Sequence, residues 1–91
     1  MTTLYRIYTE HRDNLRNIAG RYFKGFTSIE ADGYWLGMGE ASTIIEVLTD
    51  DSAAQRATVY DLAEAIRIEN GQQSVIMTEH PVSVVSFTGS N

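Results

Sequence analysis

Residues 41–52 read Ala41-Ser42-Thr43-Ile44-Ile45-Glu46-Val47-Leu48-Thr49-Asp50-Asp51-Ser52, and this stretch decides the fold. Ile44, Ile45, Val47 and Leu48 form a nearly continuous apolar run, which suits a central strand with one face on helices. The run stops at two acids and a serine. Ser52 with Gln55 matches a capping box, so a helix starts within a few residues of the strand's end. Val59, Leu62, Ala63 and Ile66 form that helix's apolar stripe, and Asn70-Gly71 closes it.

Toward the N-terminus, Phe26 to Leu36 is rich in Thr, Ile, Tyr and Trp and reads as a strand. Asp32-Gly33 predicts a bulge or bend within it, and Gly37-Met38-Gly39-Glu40 predicts the hairpin turn before a strand over 41–49. Leu4 to Thr9 alternates and predicts the first strand. Thr9 is then expected to cap a helix whose stripe is Leu15, Ile18, Ala19, Tyr22 and Phe23, with Gly25 as its stop. Toward the C-terminus, Ser74 to Thr78 predicts a strand. His80-Pro81 is expected to break it, Val82 to Phe87 to continue it, and the tail 88–91 to fray.

The order is β-α-β-β-α-β, the ferredoxin-like α+β arrangement: an antiparallel sheet with two helices on one face, in a single domain over 1–91. Such a layout leaves the other sheet face bare. Both alternating sets of strand residues are partly apolar, Leu4 and Tyr8 as well as Tyr5 and Ile7, so a homodimer or higher oligomer is expected to cover that face. A 91-residue chain makes too small a core to enclose a nucleotide alone. Small ligands are therefore expected at subunit boundaries.

Composition narrows the function. Cysteine is absent, which excludes disulfides, thiolate metal sites and cysteine nucleophiles. Seven Lys+Arg against twelve Asp+Glu give a net charge of -5, which argues against binding polymeric nucleic acid. No apolar stretch approaches a membrane span and no apolar leader follows Met1, so a cytoplasmic protein is expected. Five of the basic groups (Arg6, Arg12, Arg16, Arg21 and Lys24) fall within residues 1–24. This local zone either meets a phosphate-bearing ligand or lines a solvated helix face.

Catalytic and metal constellations are not evident. His11 and His80 lack partners at ligand spacing, no strained Ser elbow occurs, and Gly33, Gly37 and Gly39 do not open a helix. Neither a catalytic residue, a metal site nor a cofactor is therefore expected. Glu46 within the apolar strand reads either as an inter-subunit hydrogen bond or ion pair, or as a general base. Tyr34, Trp35 and Tyr60 either pack in the core or stack on a nucleobase. Arg67, Asn70, Gln72 and Gln73 read either as ordinary helix-end chemistry or as a group for phosphate, ribose and base edges.

Several segments together resemble a known family. They are Tyr5-Arg6-Ile7-Tyr8-Thr9-Glu10, the helix ending Tyr22-Phe23, the hairpin Gly33-Tyr34-Trp35-Leu36-Gly37-Met38-Gly39-Glu40-Ala41-Ser42, Ile44-Ile45-Glu46-Val47, and Gly71-Gln72-Gln73-Ser74-Val75. Over about residues 4–87 the chain resembles phage Thoeris anti-defence proteins of the first type. The resemblance implies a sponge and not an enzyme, one that sequesters cyclic ADP-ribose isomers or cyclic oligonucleotides, uncleaved, in the infected host cell. It implies a homo-oligomer, dimer or hexamer. It places ligand on Tyr60, Asn70, Gln72 and Gln73, with Arg67 toward phosphate; Tyr34, Trp35 and Arg21 complete the candidate set. A small phage inhibitor acting by protein–protein contact and a ferredoxin-like dimeric enzyme are the competing readings.

Overall fold

The computed structural model describes residues 2–50 and 52–84. Its elements are β1 (Thr2–Glu10), α1 (Leu15–Tyr22), β2 (Thr27–Trp35), β3 (Met38–Asp50), α2 (Ala53–Glu69) and β4 (Ile76–Val82). All strand pairs are antiparallel and the sheet order is β2-β3-β1-β4. The chain has the expected ferredoxin-like α+β fold.

Alternation sets the two faces. On β1, Thr3, Tyr5, Ile7 and Thr9 are buried; on β3, Thr43, Ile45, Val47 and Thr49 are. These point to the helices, where Leu15, Ile18 and Ala19 of α1 and Val59, Leu62, Ala63 and Ile66 of α2 complete one core. The intervening residues form the open face. There the register aligns Ile29, Ile44, Tyr8 and Ile76 in a row across all four strands. Ile29 and Ile76 are exposed, as is Leu48 farther along the same face.

The second helix starts and stops as expected. Gln55 N donates to Ser52 Oγ at 3.1 Å, and Gly71 at φ +60° takes the left-handed position past the helix end. The return bond of a capping box is missing, because Gln55 Oε1 has no partner.

Elsewhere the structure corrects the sequence. Thr9 caps nothing: it is the buried penultimate residue of β1, and Asn14 stands at the α1 N-terminus without a side-chain cap bond. Asp32-Gly33 makes neither bulge nor bend, since the β2–β3 register runs unbroken from Thr27↔Glu46 to Trp35↔Met38. The hairpin turn is Leu36-Gly37, with φ of 52° and 78°, so β3 begins at Met38, three residues earlier than expected. Positive φ at both central residues is the type I′ geometry, whose twist matches the flanking strands. His80-Pro81 does not break β4. That strand lies at the sheet edge, where a residue without an N–H is tolerated. β4 ends at Val82, so the expected continuation over 82–87 is not strand at Ser83 and Val84; its remainder over 85–87 and the frayed tail lie outside the described residues.

Three of the five basic groups of the N-terminal zone are engaged in ion pairs. Arg6 meets Glu46 at 2.7 Å, Arg12 meets Glu10 at 2.9 Å and Arg21 meets Glu69 at 2.6 Å. Glu46 is thus held within its own subunit, directly across from Arg6 in the register, and needs no second copy. Tyr8 and Glu46 hydrogen-bond the Arg6 guanidinium and raise its pKa.

Candidate functional site

β1 is shorter than the hairpin beside it. It ends at Glu10, opposite Ser42, while β3 extends outward to Met38 and β2 to Trp35. The hairpin arm therefore projects about 13 Å past the last β1 residue. On the other side of β1, the loop from Gly71 to Val75 returns the chain to β4. Between arm and loop lies a notch. Its floor is Tyr8 and Glu10, one wall is Trp35 and Glu40, and the other is Gln72 and Ser74. The notch holds about 480 Å³ and continues onto the open face at Ile44 and Ile76. At its outer end a hollow of about 380 Å³ adds Gln73.

Gln72 fixes this geometry. It is buried, its Nε2 donates to Thr9 Oγ1 at 2.6 Å, and its Oε1 accepts from Glu10 N at 3.2 Å. The side chain thus bonds the end of β1 where no neighbouring strand residue does, and it ties the α2–β4 loop to the sheet. Gln73, next in the chain, is left exposed toward the hollow.

The aromatic wall is open to solvent. Tyr34 and Trp35 are 74% and 73% exposed, so neither is a core residue. Tyr34 lies over Gly39, where an added Cβ would come within 3.2 Å of its ring. Glycine at 39 is what lets the ring lie against the opposite strand.

The electrostatics are one-sided. Among the residues lining the notch and hollow, Glu10, Asp32 and Glu40 carry charge and none is Lys, Arg or His. Glu10 is engaged by Arg12. Glu40 and Asp32 form no ion pair among the described residues.

The eight expected site residues therefore divide in two. Tyr34, Trp35, Gln72 and Gln73 come together around the notch. Tyr60, Arg67, Asn70 and Arg21 do not. Tyr60 is 58% exposed on a separate groove between α2 and β4, and so is neither core nor part of the notch. Arg67 bonds Glu64 at 2.6 Å; the pair raises the Arg67 pKa and holds Glu64 below its ordinary value. Asn70 Oδ1 accepts from Asn14 Nδ2 at 2.8 Å, pinning the two helices together. Arg21 is on α1, paired to α2 through Glu69. Tyr8, Glu10 and Glu40 were missed by sequence reasoning. Their shared position appears only once the register shows where β1 stops.

The two histidines serve local structure. His11 Nδ1 lies 2.9 Å from Thr43 Oγ1, and His80 Nε2 lies 2.9 Å from Thr78 Oγ1. No helix among the described residues is long and apolar enough to cross a membrane.

No family model and no curated protein matches the chain. Solved structures match in fold. A phage SAM lyase in complex with S-methyl-5′-thioadenosine is similar at TM-score 0.70 and 17% identity, over 87% of this chain and 80% of that one. A nitrogen regulatory PII-like protein from Thiomonas intermedia, bound to ADP, AMP and bicarbonate, is similar at TM-score 0.61 and 18% identity, over 96% of both chains. CutA1 from Oryza sativa is similar at TM-score 0.61 and 12% identity, over 93% of this chain and 83% of that one. At these identities the likeness establishes the fold. It also corrects the expectation that the chain is not an enzyme: a phage lyase carries this same fold at the highest similarity of the three, so the fold gives no ground for excluding catalysis. None of these three relatives is a Thoeris anti-defence protein.

Proposed function

We propose that the notch binds a small adenosine-containing ligand that carries positive charge, of the S-adenosylmethionine kind, in a homo-oligomer whose second copy closes the site. One observation carries this reading: exposed aromatic rings and carboxylates line the notch, and no basic side chain does. Stacking a base on an aromatic ring contributes roughly 1–3 kcal/mol. A cation over Trp or Tyr adds about 0.5–2 kcal/mol, more as the site dries. A polyphosphate would meet Glu40, a carboxylate that forms no ion pair among the described residues. Gln73 and Ser74 offer donors and acceptors for base and ribose. The volume falls within the usual range for small-ligand sites, about 300–1,000 Å³. Two fold relatives bound to adenosine-bearing molecules support the ligand class.

The open side of the notch is continuous with the bare sheet face, so one second copy could cover both. The Arg6–Glu46 pair on that face is already matched within the subunit, which lowers the cost of burying it.

Sequestration of a cyclic ADP-ribose isomer or a cyclic oligonucleotide is the second reading. The meeting of Tyr34 and Trp35 with Gln72 and Gln73 favours it. It needs phosphate-binding groups from another copy.

Calorimetry separates the two. S-adenosylmethionine should bind at least tenfold more tightly than neutral S-methyl-5′-thioadenosine, and ADP and cyclic ADP-ribose should bind more weakly still. Equal or tighter binding of the phosphate-bearing ligands would overturn the cationic reading. Mass spectrometry of recovered S-adenosylmethionine then reads its fate. Release of S-methyl-5′-thioadenosine would identify a lyase, and intact recovery a binder.

A further inference from the structure

In an extended strand each residue turns its N–H and C=O to the same side, and successive residues alternate sides. For β3 the sides are fixed at two points. His11 N donates to Ala41 O at 3.1 Å, one step beyond the Glu10↔Ser42 pair, so Ala41 and the other odd-numbered residues of β3 turn their peptide groups to β1. At the other end, the two-residue turn closes on Trp35 and Met38 as a hydrogen-bonded pair, so the even-numbered residues turn theirs to β2. Gly39 falls in the odd set. Its N–H and C=O point to the inner edge of the arm, past the place where β1 stops. Neither group forms a hydrogen bond among the described residues.

Gly39 therefore presents a donor and an acceptor side by side, next to Glu40 in the wall of the notch. In a sheet, the same two groups would exchange both bonds with one partner residue. Adenine matches them with its 6-amino donor and an adjacent ring-nitrogen acceptor.

The aromatic rings supply an independent observation. Side chains alternate across a sheet, so Tyr34 and Trp35 stand on opposite faces of the arm. Tyr34 is paired with Gly39 and lies against it on the helix side, the side to which Thr43 and Ile45 are buried. Trp35 stands on the open side with Glu40. The peptide groups of Gly39 thus emerge between the levels of two exposed rings.

We infer that the main chain of Gly39 reads the adenine of the ligand, its C=O accepting from the 6-amino group and its N–H donating to the neighbouring ring nitrogen, with Tyr34 and Trp35 on the two sides of the base plane. The inference rests on the adenosine-containing ligand of the proposed function and names what selects the base. Hypoxanthine carries an oxygen at position 6 and a proton on the neighbouring nitrogen, which sets acceptor against acceptor and donor against donor. The carboxylates sense the ligand's charge, and Gly39 senses its base.

The test compares S-adenosylmethionine with S-inosylmethionine by calorimetry on the full chain. The two carry the same charge and differ only at the base. S-adenosylmethionine should bind about tenfold or more tightly than its hypoxanthine counterpart, the discrimination of one bidentate base contact. The second arm is the full 91-residue chain assembled by chemical ligation with an ester in place of the Gly39 amide, which removes that N–H and leaves every side chain in place. Circular dichroism should show it folded, because the N–H belongs to no ladder bond. The ester should narrow the base preference by about threefold or more. Equal binding of the two ligands, a folded ester chain that keeps the full preference, or one that weakens both ligands alike would overturn the inference and leave the adenosine reading standing. If neither ligand binds, both readings fall.

Discussion

Gln72 reaches across from the α2–β4 loop to Thr9, its Nε2 donating to the Thr9 hydroxyl at 2.6 Å in a buried setting. Its other amide atom accepts from the Glu10 amide. Replacing it with Ala leaves the part-buried Glu10 amide without its acceptor, at a cost of about 1–3 kcal/mol, and removes one bond from the buried Thr9 hydroxyl, which still donates to the Glu10 carbonyl. Gln72→Ala should therefore lower Tm by at least 4–8 °C in a chain of this size, roughly the shift for 1 kcal/mol. Differential scanning calorimetry reads it, and an unchanged Tm would show that water replaces the amide at no cost.

Trp35 is exposed before any ligand binds, so its replacement should leave folding alone. Trp35→Ala should weaken S-adenosylmethionine by about tenfold or more, the loss of one stacking contact and one cation–π contact. The far-ultraviolet dichroism should not change. Full retention of affinity would remove Trp35 from the site.

Glu40 discriminates by charge. Glu40→Gln keeps its shape and hydrogen-bonding reach. It should weaken S-adenosylmethionine several-fold while sparing the neutral thioether, and the difference should shrink at high salt. Parallel losses for both ligands would mean that Glu40 shapes the notch without sensing charge.

Asn70 joins the helices, not the ligand. Asn70→Ala removes the bond from Asn14 and should lower stability by about 0.5–1.5 kcal/mol with ligand affinity intact. Denaturant unfolding and calorimetry on the same sample distinguish this from a direct contact.

Glu64 gives a pH signature. Arg67 lowers its pKa in the folded chain below the ordinary 4.5. A depressed carboxylate contributes stability that is present above its unfolded pKa and is lost as pH falls through the folded value. NMR titration should place the Glu64 midpoint below 4.5, and Arg67→Ala should return it toward that value. No movement in the variant would assign the shift to another cause.

The fold was legible because its signals were local. The β-branched run at Ile44–Val47, the Ser52 cap and the Asn70-Gly71 stop each specify their own geometry. The errors came where longer-range pairing overrode a local signal. Asp32-Gly33 looked like a break, yet nine consecutive pairings with β3 hold that strand straight. Leu36-Gly37 carried no turn signature at its first position. Pro81 was compatible with a strand only because β4 turned out to be an edge. The site was half legible. Tyr34, Trp35, Gln72 and Gln73 are polar or aromatic residues beside turns, which composition can find. Tyr8, Glu10 and Glu40 were not, because their role depends on where one strand ends relative to another. Arg67, Arg21, Asn70 and Tyr60 had suitable chemistry but occupy the helix layer.

The early end of β1 has a further meaning. Beyond Ala41, whose carbonyl takes the His11 amide, the inner edge of β3 faces the slot that a longer β1 would fill. On the proposed reading, a ligand in the notch would lie in that slot, within reach of the peptide groups of β3 as a strand would be. Gln72 does this for Glu10 from the side, so the fold already closes one strand end with an amide that is not a strand. Recognition by main-chain groups depends little on side-chain identity. Lengthening β1 by two residues should therefore abolish binding without altering any residue of the walls.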